Sequence, residues 1–172
     1  EGQLHGLRNK AAQLGLVGKQ TIGALNKLFS SMLLRLSDAK VAPGSIGGDA
    51  KLATLARGLA DALKQDFGQS YDSRLQSDQT LKALNGSLLT FLATCDKGSD
   101  EGVSGRYRQW EQTLDCFDKW LMARMASTQS SQLTDLKGQF KSAKDSQGQL
   151  GALDAMKPTR IVAMHYIQRP DG

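Results

Sequence analysis

Apolar residues recur at alternating three- and four-residue steps along four stretches of the chain, and this heptad spacing is its most informative pattern. The spacing places each set on one face of a helix. The sets are Leu52, Leu55, Leu59, Leu63 and Phe67; Leu81, Leu84, Leu88, Phe91 and Cys95; Val103, Tyr107, Trp110, Leu114, Phe117, Leu121 and Met125; and Leu133, Leu136, Phe140 and Ala143. Because a helix cannot bury such a face alone, the pattern predicts an all-α, antiparallel bundle of four long helices.

Two more apolar sets precede these and predict a short N-terminal helix near residues 2–17 and a further helix near residues 20–40. The spacing shifts by four residues between the two sets, and Gly15 and Gly18 stand at that shift, where a break costs least. The sets are Leu4, Leu7, Ala11 and Leu14, followed by Ile22, Leu25, Phe29, Met32, Leu36 and Ala39.

Turn-forming residues set the predicted helix boundaries in the first half of the chain. Proline and glycines between residues 41 and 48 indicate a loop. Asp49 is suited to cap a helix near residues 50–67, and Gly68 to end it. Residues 69–76 are expected to form a polar connection.

In the second half, a helix is expected from Ser77 to just before Gly98. The next begins near Asp100 and Glu101, whose negative charges suit a helix N-terminus, and continues to about residue 126. The last long helix then runs from about residue 131 toward Met156.

The C-terminal residues differ in character from the helices. Pro158 and Pro170 bound a β-prone apolar run that the prolines prevent from joining a helix. We therefore divide the chain into a helical bundle domain, residues 1–158, and a short extended tail, residues 159–172. The tail is expected to pack on the bundle or to be the stub of a linker, with Ile161, Met164 and Ile167 as its apolar contacts.

Composition is that of a globular domain and limits the function classes. The chain has 172 residues, of which 40% are hydrophobic and 23% charged, with a net charge of +5. The positive charge allows acidic partners, but the basic residues are scattered and only 6% of residues are aromatic, so nucleic acid is a less favoured partner. No apolar stretch reaches the ~18 residues of a membrane-spanning helix, and we expect no transmembrane segment.

Catalytic and metal-binding motifs are missing from the sequence. His5 and His165 are the only histidines, and neither lies in an HExxH or ExxH pattern or at zinc-ligand spacing from a cysteine. The glycine-containing loops match no phosphate-binding signature. The Asp-Phe-Gly triplet at residues 66–68 lacks the other kinase motifs and indicates a helix C-terminus. We predict no catalytic residue, no metal and no cofactor.

The two cysteines, Cys95 and Cys116, are predicted to be reduced. If their helices form an antiparallel hairpin that turns near residues 98–102, Cys116 lies roughly 12–20 Å beyond the point that Cys95 faces. A disulfide needs Cα atoms within ~7 Å.

Two groups of basic residues are candidate contacts for a partner. Lys137, Lys141 and Lys144 recur at helical spacing and would form a basic stripe beside an apolar face. Arg106 and Arg108 flank Tyr107 near the start of a helix. An acidic surface on a partner protein or an anionic membrane surface would suit these groups.

These observations favour a non-enzymatic protein–protein interaction module. The chain begins at Glu1 without an initiator methionine, so we expect it to be cut from a larger protein, with a processed mature protein as the alternative. Its Glu-poor, Gln- and Ser-rich composition suggests a bacterial secreted or host-directed effector. Two alternatives remain open: a basic helical module that binds membranes or nucleic acid, and a helical GTPase regulator that uses an exposed arginine.

Overall fold

The computed structural model describes the backbone of residues 2–38, 46–127 and 131–156, and the side chains of residues 3–35, 46–127 and 132–147. These residues are almost entirely helical. The helices are α1 (Gly2–Gln13), α2 (Lys19–Asp38), α3 (Ala50–Phe67), α4 (Tyr71–Ser77), α5 (Gln79–Lys97), α6 (Gly102–Ala126) and α7 (Ser131–Met156), with a 3₁₀ turn at Gly68–Ser70.

The prediction of an all-α helical bundle is confirmed. Within the described ranges, five helices have 18 residues or more, one more than the four long helices of the prediction.

The expected polar connection at residues 69–76 is instead the 3₁₀ turn followed by α4. Tyr71 explains this difference, because it is buried and its hydroxyl lies 2.9 Å from Asn85 Oδ1. A single anchor residue of this kind leaves no periodic signal in the sequence. Ser77 ends α4, and Asp78 caps α5 by accepting hydrogen bonds from the backbone N–H groups of Thr80 and Leu81.

Hydrogen bonds at two heights of each pair show that α2 and α3 run antiparallel, and that α5 and α6 do so as well. Between α5 and α6, the Thr113 hydroxyl donates to the carbonyl of Ser87, and Arg106 donates to that of Thr94. Between α2 and α3, Thr21 contacts Asp66 at one end and Arg35 contacts Asp49 at the other. The predicted capping role of Asp49 is confirmed, since its side chain also accepts from the backbone N–H of Leu52.

The apolar heptad positions form one continuous core. In α5 and α7 the predicted residues that the structure describes are all buried, and in α3 and α6 most are. The half-buried exceptions are Leu55, Phe67, Val103 and Tyr107. Both cysteines are free, as predicted, and both are buried; burial raises the pKa of the Cys95 thiol to about 11.

The N-terminal helix is shorter than the predicted range of 2–17. It ends at Gln13, and Gly15, with φ of +85°, turns the chain so that Leu16 and Val17 reach the core. Thr21 is buried, and the Asp66 carboxylate satisfies its polar groups by accepting hydrogen bonds from its N–H and hydroxyl at 2.8 and 2.5 Å. The side chain of Asp66 therefore caps α2 from the end of α3.

Several predictions concern residues outside the described parts of the chain. The side chains of Leu36 and Ala39, most of the loop at residues 41–48, and the tail at residues 159–172 fall there, so the domain division stays a prediction. In the described residues, no helix combines the length and hydropathy that are needed to cross a bilayer.

Candidate binding cleft

A cleft of about 620 Å³ lies among α1, α2, α6 and α7. This volume is within the range of small-molecule and peptide sites in proteins. Its apolar wall comes from α2 and α6 and consists of Phe29, Met32, Leu33, Tyr107, Trp110 and Leu114. The other side is charged and includes Arg8, Asp115, Asp118 and Lys144.

The apolar wall has a rigid base and an exposed edge. Trp110 packs between Phe29 and Phe91, with ring centroids 6.4 and 5.5 Å away, and is only 3% exposed. Leu33 on the adjacent helix is 52% exposed. The edge of the cleft thus offers apolar surface that the described residues leave uncovered.

A buried ion pair joins α1 to α6 at the charged side of the cleft. The Arg8 guanidinium donates through Nε and Nη2 to the two carboxylate oxygens of Asp118, at 2.7 and 2.8 Å. Both residues are 0% exposed. A two-point contact of this kind fixes the relative position of the helices, and removing one member would leave a buried charge without its partner.

Lys144 connects α7 to this ion pair, and we call Arg8, Asp115, Asp118 and Lys144 the charged cluster. Its ammonium lies 2.9 Å from Asp115 Oδ1 and 3.1 Å from Asp118 Oδ2. Burial alone would lower the pKa of Lys144, but its bonds to the two carboxylates raise the pKa above the ordinary value. Burial would likewise raise the pKa of Asp115, yet hydrogen bonds from Lys144 and Lys119 hold that pKa below its usual range.

The charges of the described residues that line the cleft balance. Its cations are Arg8, Arg108 and Lys144, and its anions are Glu111, Asp115 and Asp118. Among the described lining residues, three positive and three negative side chains give no net charge, so this part of the lining favours neither an anionic nor a cationic ligand. The arrangement is suited to hold an apolar segment against Leu33 and Trp110 while polar groups beside it fix the orientation.

The predicted contact residues are not all in one place. Lys144 and Arg108 both line the cleft. Lys137 and Lys141 are exposed on α7 outside it. Since Lys144 is held by two carboxylates of its own chain, the basic stripe presents two open ammonium groups rather than three.

Arg106 does not lie on the surface as a contact residue would. It is 8% exposed, and its Nη2 donates to the carbonyls of Gly47, at 2.9 Å, and Thr94. Arg106 therefore holds the segment before α3 against the end of α5. Beside it, Ile46 and Ser99 pair through two backbone hydrogen bonds of 2.9 Å, and we call this group of contacts the Arg106 clamp.

Arg108, two residues further along α6, points outward. Its side chain is 63% exposed and forms an ion pair with Glu101, the residue at the N-cap position of α6. An exposed pair of this kind contributes little to stability.

Arg8 and Asp118 were not among the predicted site residues. The signal that could have found them is their position: Arg8 shares the apolar face of Leu4, Leu7 and Ala11, and Asp118 follows the core residues Leu114 and Phe117. Opposite charges on two apolar faces indicate a buried pair, since neither can be buried alone.

Comparison of the chain with protein-family models, with curated proteins and with solved structures finds no match. In the described residues, no group of three or more histidine, cysteine or acidic side chains is arranged to hold a metal ion.

Proposed function

We propose that this chain is a non-enzymatic protein-interaction module and that the cleft among α1, α2, α6 and α7 receives an apolar segment of a partner protein. The observation that carries the proposal is the combination of a 620 Å³ cleft with the half-exposed side chain of Leu33 at its edge. Exposed apolar surface beside a preformed concavity is typical of recognition sites.

The charged groups of the cleft support binding rather than acid–base chemistry. Arg8, Asp118, Lys144 and Asp115 are bonded to one another across three helices. The bonds between Lys144 and Asp115 help to hold the pKa of Lys144 above its ordinary value and the pKa of Asp115 below its ordinary value, whereas a general acid or base needs a pKa near the working pH. In this proposal the charged cluster fixes the relative positions of α1, α6 and α7 and thereby the shape of the cleft.

The test uses two leucines of nearly equal exposure. Leu33 is 52% exposed at the cleft, and Leu89 is 50% exposed on α5. A photo-crosslinking amino acid at each position in turn, in the cells that make the protein, would identify bound partners. Binding of a captured partner to the purified chain is then measured by calorimetry.

Leu33→Arg should weaken the affinity by tenfold or more, which corresponds to about 1.4 kcal/mol, because it places a charge on the apolar edge. Leu89→Arg should leave the affinity unchanged. Equal affinity of both variants would reject the cleft as the binding site.

Other predicted properties remain part of the proposal. Lys137 and Lys141 are exposed and stay candidates for contact with an acidic surface of the same partner or with an anionic membrane. An origin as a secreted or host-directed bacterial effector rests on composition and stays a prediction.

A further inference from the structure

We propose that the cleft receives its partner's apolar segment as a short amphipathic helix that lies end to end with α1. This inference concerns the same site and rests on the proposed function. The observation that carries it is the position of α1, which fills one part of the groove between α2 and α6 and leaves another part open as the cleft.

α1 packs on α2 in antiparallel orientation. The His5 ring stacks on Phe29 with centroids 3.9 Å apart, and the Asn26 amide donates to Asn9 Oδ1 at 2.9 Å. By this register, the start of α1 lies level with about position 32 of α2. Because α2 ends at Asp38, it extends past α1 by about six residues, or ~9 Å.

On its other side, α1 runs in the same direction as α6. Arg8 pairs with Asp118, and the carbonyl of Leu16, which follows α1, accepts a hydrogen bond of 2.8 Å from Arg124 Nε. α1 therefore lies along the groove between α2 and α6 and is held by polar contacts to both helices.

The cleft is the continuation of this groove past the start of α1. The Arg8–Asp118 pair and the ring contact between Phe29 and Trp110 place the start of α1 level with about positions 107–112 of α6. Since α6 begins at Gly102, it extends past α1 by about 5–10 residues, or ~8–15 Å. The two neighbouring helices thus border an open space about two helical turns long.

The open part of the groove has the same apolar character as the part that α1 fills. Its walls include Met32 and Leu33 of α2 and Tyr107 of α6. α1 covers the filled part with buried apolar residues at steps of three and four, namely Leu4, Leu7 and Ala11. A helix with apolar residues at the same steps would cover Leu33 in the same way, which is a common mode of peptide recognition.

The N-terminus of α1 sets the direction of the bound helix. The first N–H groups of a helix have no partner within it and carry a partial positive charge. α1 has no acidic residue in its first turn to balance this charge. The C-terminal end of the bound helix carries the opposite partial charge, so it should meet the start of α1, and the two helices should run in the same direction.

The experiment uses the full chain and a fluorescent peptide of the length of α1, which a hydrocarbon staple holds helical and which has leucines at steps of three and four. The control peptide lacks the staple and has a central proline that prevents a helix. Fluorescence anisotropy should show that the helical peptide binds at least tenfold more tightly than the proline peptide. Leu33→Arg should weaken binding of the helical peptide by tenfold or more, whereas Leu89→Arg should leave it unchanged.

A photoreactive group at either end of the helical peptide tests the direction. The group at the C-terminal end should label the first turn of α1, and the group at the N-terminal end should not. Any other pattern of labelling would overturn the end-to-end arrangement.

Two further results would overturn the inference as a whole. One is the absence of binding of the helical peptide at millimolar concentration. The other is equal binding of both peptides with an equal loss on Leu33→Arg, which would mean that the cleft takes an extended segment. That result leaves the proposed function intact, whereas equal affinity of Leu33→Arg and Leu89→Arg for a captured partner would reject the proposed function whatever the peptides do.

Discussion

Asp118 is the residue on which three helices converge. It accepts hydrogen bonds from Arg8 of α1 and Lys144 of α7 while lying on α6, and it is completely buried. A buried carboxylate is stable only when its hydrogen-bonding partners are in place. The contribution of Arg8 or Lys144 to stability therefore depends on its bonds to Asp118 more than on its charge alone.

Lys144 should therefore differ from the two other lysines of α7. Lys144→Glu would place three carboxylates together and is expected to lower the free energy of unfolding by about 1–3 kcal/mol through lost charge-assisted hydrogen bonds. Lys137→Glu and Lys141→Glu, at exposed positions, should each change it by less than ~0.5 kcal/mol. Urea unfolding of the three variants measures this. The sequence alone predicts that reversing the charge of all three lysines leaves the fold intact. Equal stability of the three variants would support that prediction and contradict the special role of Lys144.

Asp49 makes part of the stability depend on pH. The hydrogen bond from Arg35 lowers the pKa of Asp49 from 3.8 to about 2. Because the folded-state pKa lies below the unfolded one, the stabilisation is complete above about pH 4 and is lost as the pH falls toward 2. Asp49→Asn keeps a capping side chain but cannot ionise. The difference in unfolding free energy between the two proteins should be constant above pH 4 and shrink below it. A difference that does not vary between pH 5 and pH 2 would contradict this account.

At the scale of the elements, side chains from one helix complete the ends of another. Asp66 of α3 caps α2, and Arg106 of α6 holds the segment before α3. The order of helices along the chain could be predicted from periodicity, but these contacts depend on which helix ends meet in space.

The Arg106 clamp can be tested against Arg108, its neighbour on α6. Arg106→Ala would leave the carbonyls of Gly47 and Thr94 without their donor and should cost about 1–3 kcal/mol in unfolding free energy. Arg108→Ala removes an exposed ion pair and should cost less than ~1 kcal/mol. Denaturant midpoints of the two variants give the comparison. If Arg108→Ala proves the more damaging, the assignment of the clamp is wrong.

Gly18 is required where α2 begins. A methyl group at this position would overlap the Asp66 carboxylate, so Gly18→Ala should displace the cap and cost about 1 kcal/mol. Gly23, inside the same helix, has open space around it, and Gly23→Ala should stabilise the protein by about 0.5–1 kcal/mol. Thermal unfolding should show opposite shifts in Tm. Shifts in the same direction would argue against capping by Asp66.

At the scale of the whole molecule, the core assignment rests on the heptads. Leu88 and Leu89 are adjacent in α5, yet Leu88 is 0% exposed and Leu89 is 50% exposed. Leu88→Asp should destabilise or unfold the domain, because an unpaired buried charge costs several kcal/mol, and Leu114→Asp should act in the same way. Leu89→Asp should melt like the unchanged protein. Circular dichroism melting curves decide, and wild-type-like melting of Leu88→Asp would reject the assignment.

The bundle could be predicted because helical periodicity is a local property of the sequence. Leu81 through Cys95 mark their buried face without reference to any other helix. The cleft could not be predicted in this way, since its walls come from residues as distant as Arg8 and Lys144. The buried position of Arg106 could not be predicted either. Its hydrogen-bond partners, the carbonyls of Gly47 and Thr94, lie on other segments of the chain.

The cluster around Asp118 also bears on how the protein opens. Helices at the two ends of the described chain ordinarily fray independently, each exchanging its amide hydrogens at its own rate. Here α1 and α7 share one buried acceptor, so detachment of either helix leaves the other bound to a half-satisfied carboxylate. The first and last helices should therefore behave as a single cooperative unit, although more than a hundred residues separate them along the chain.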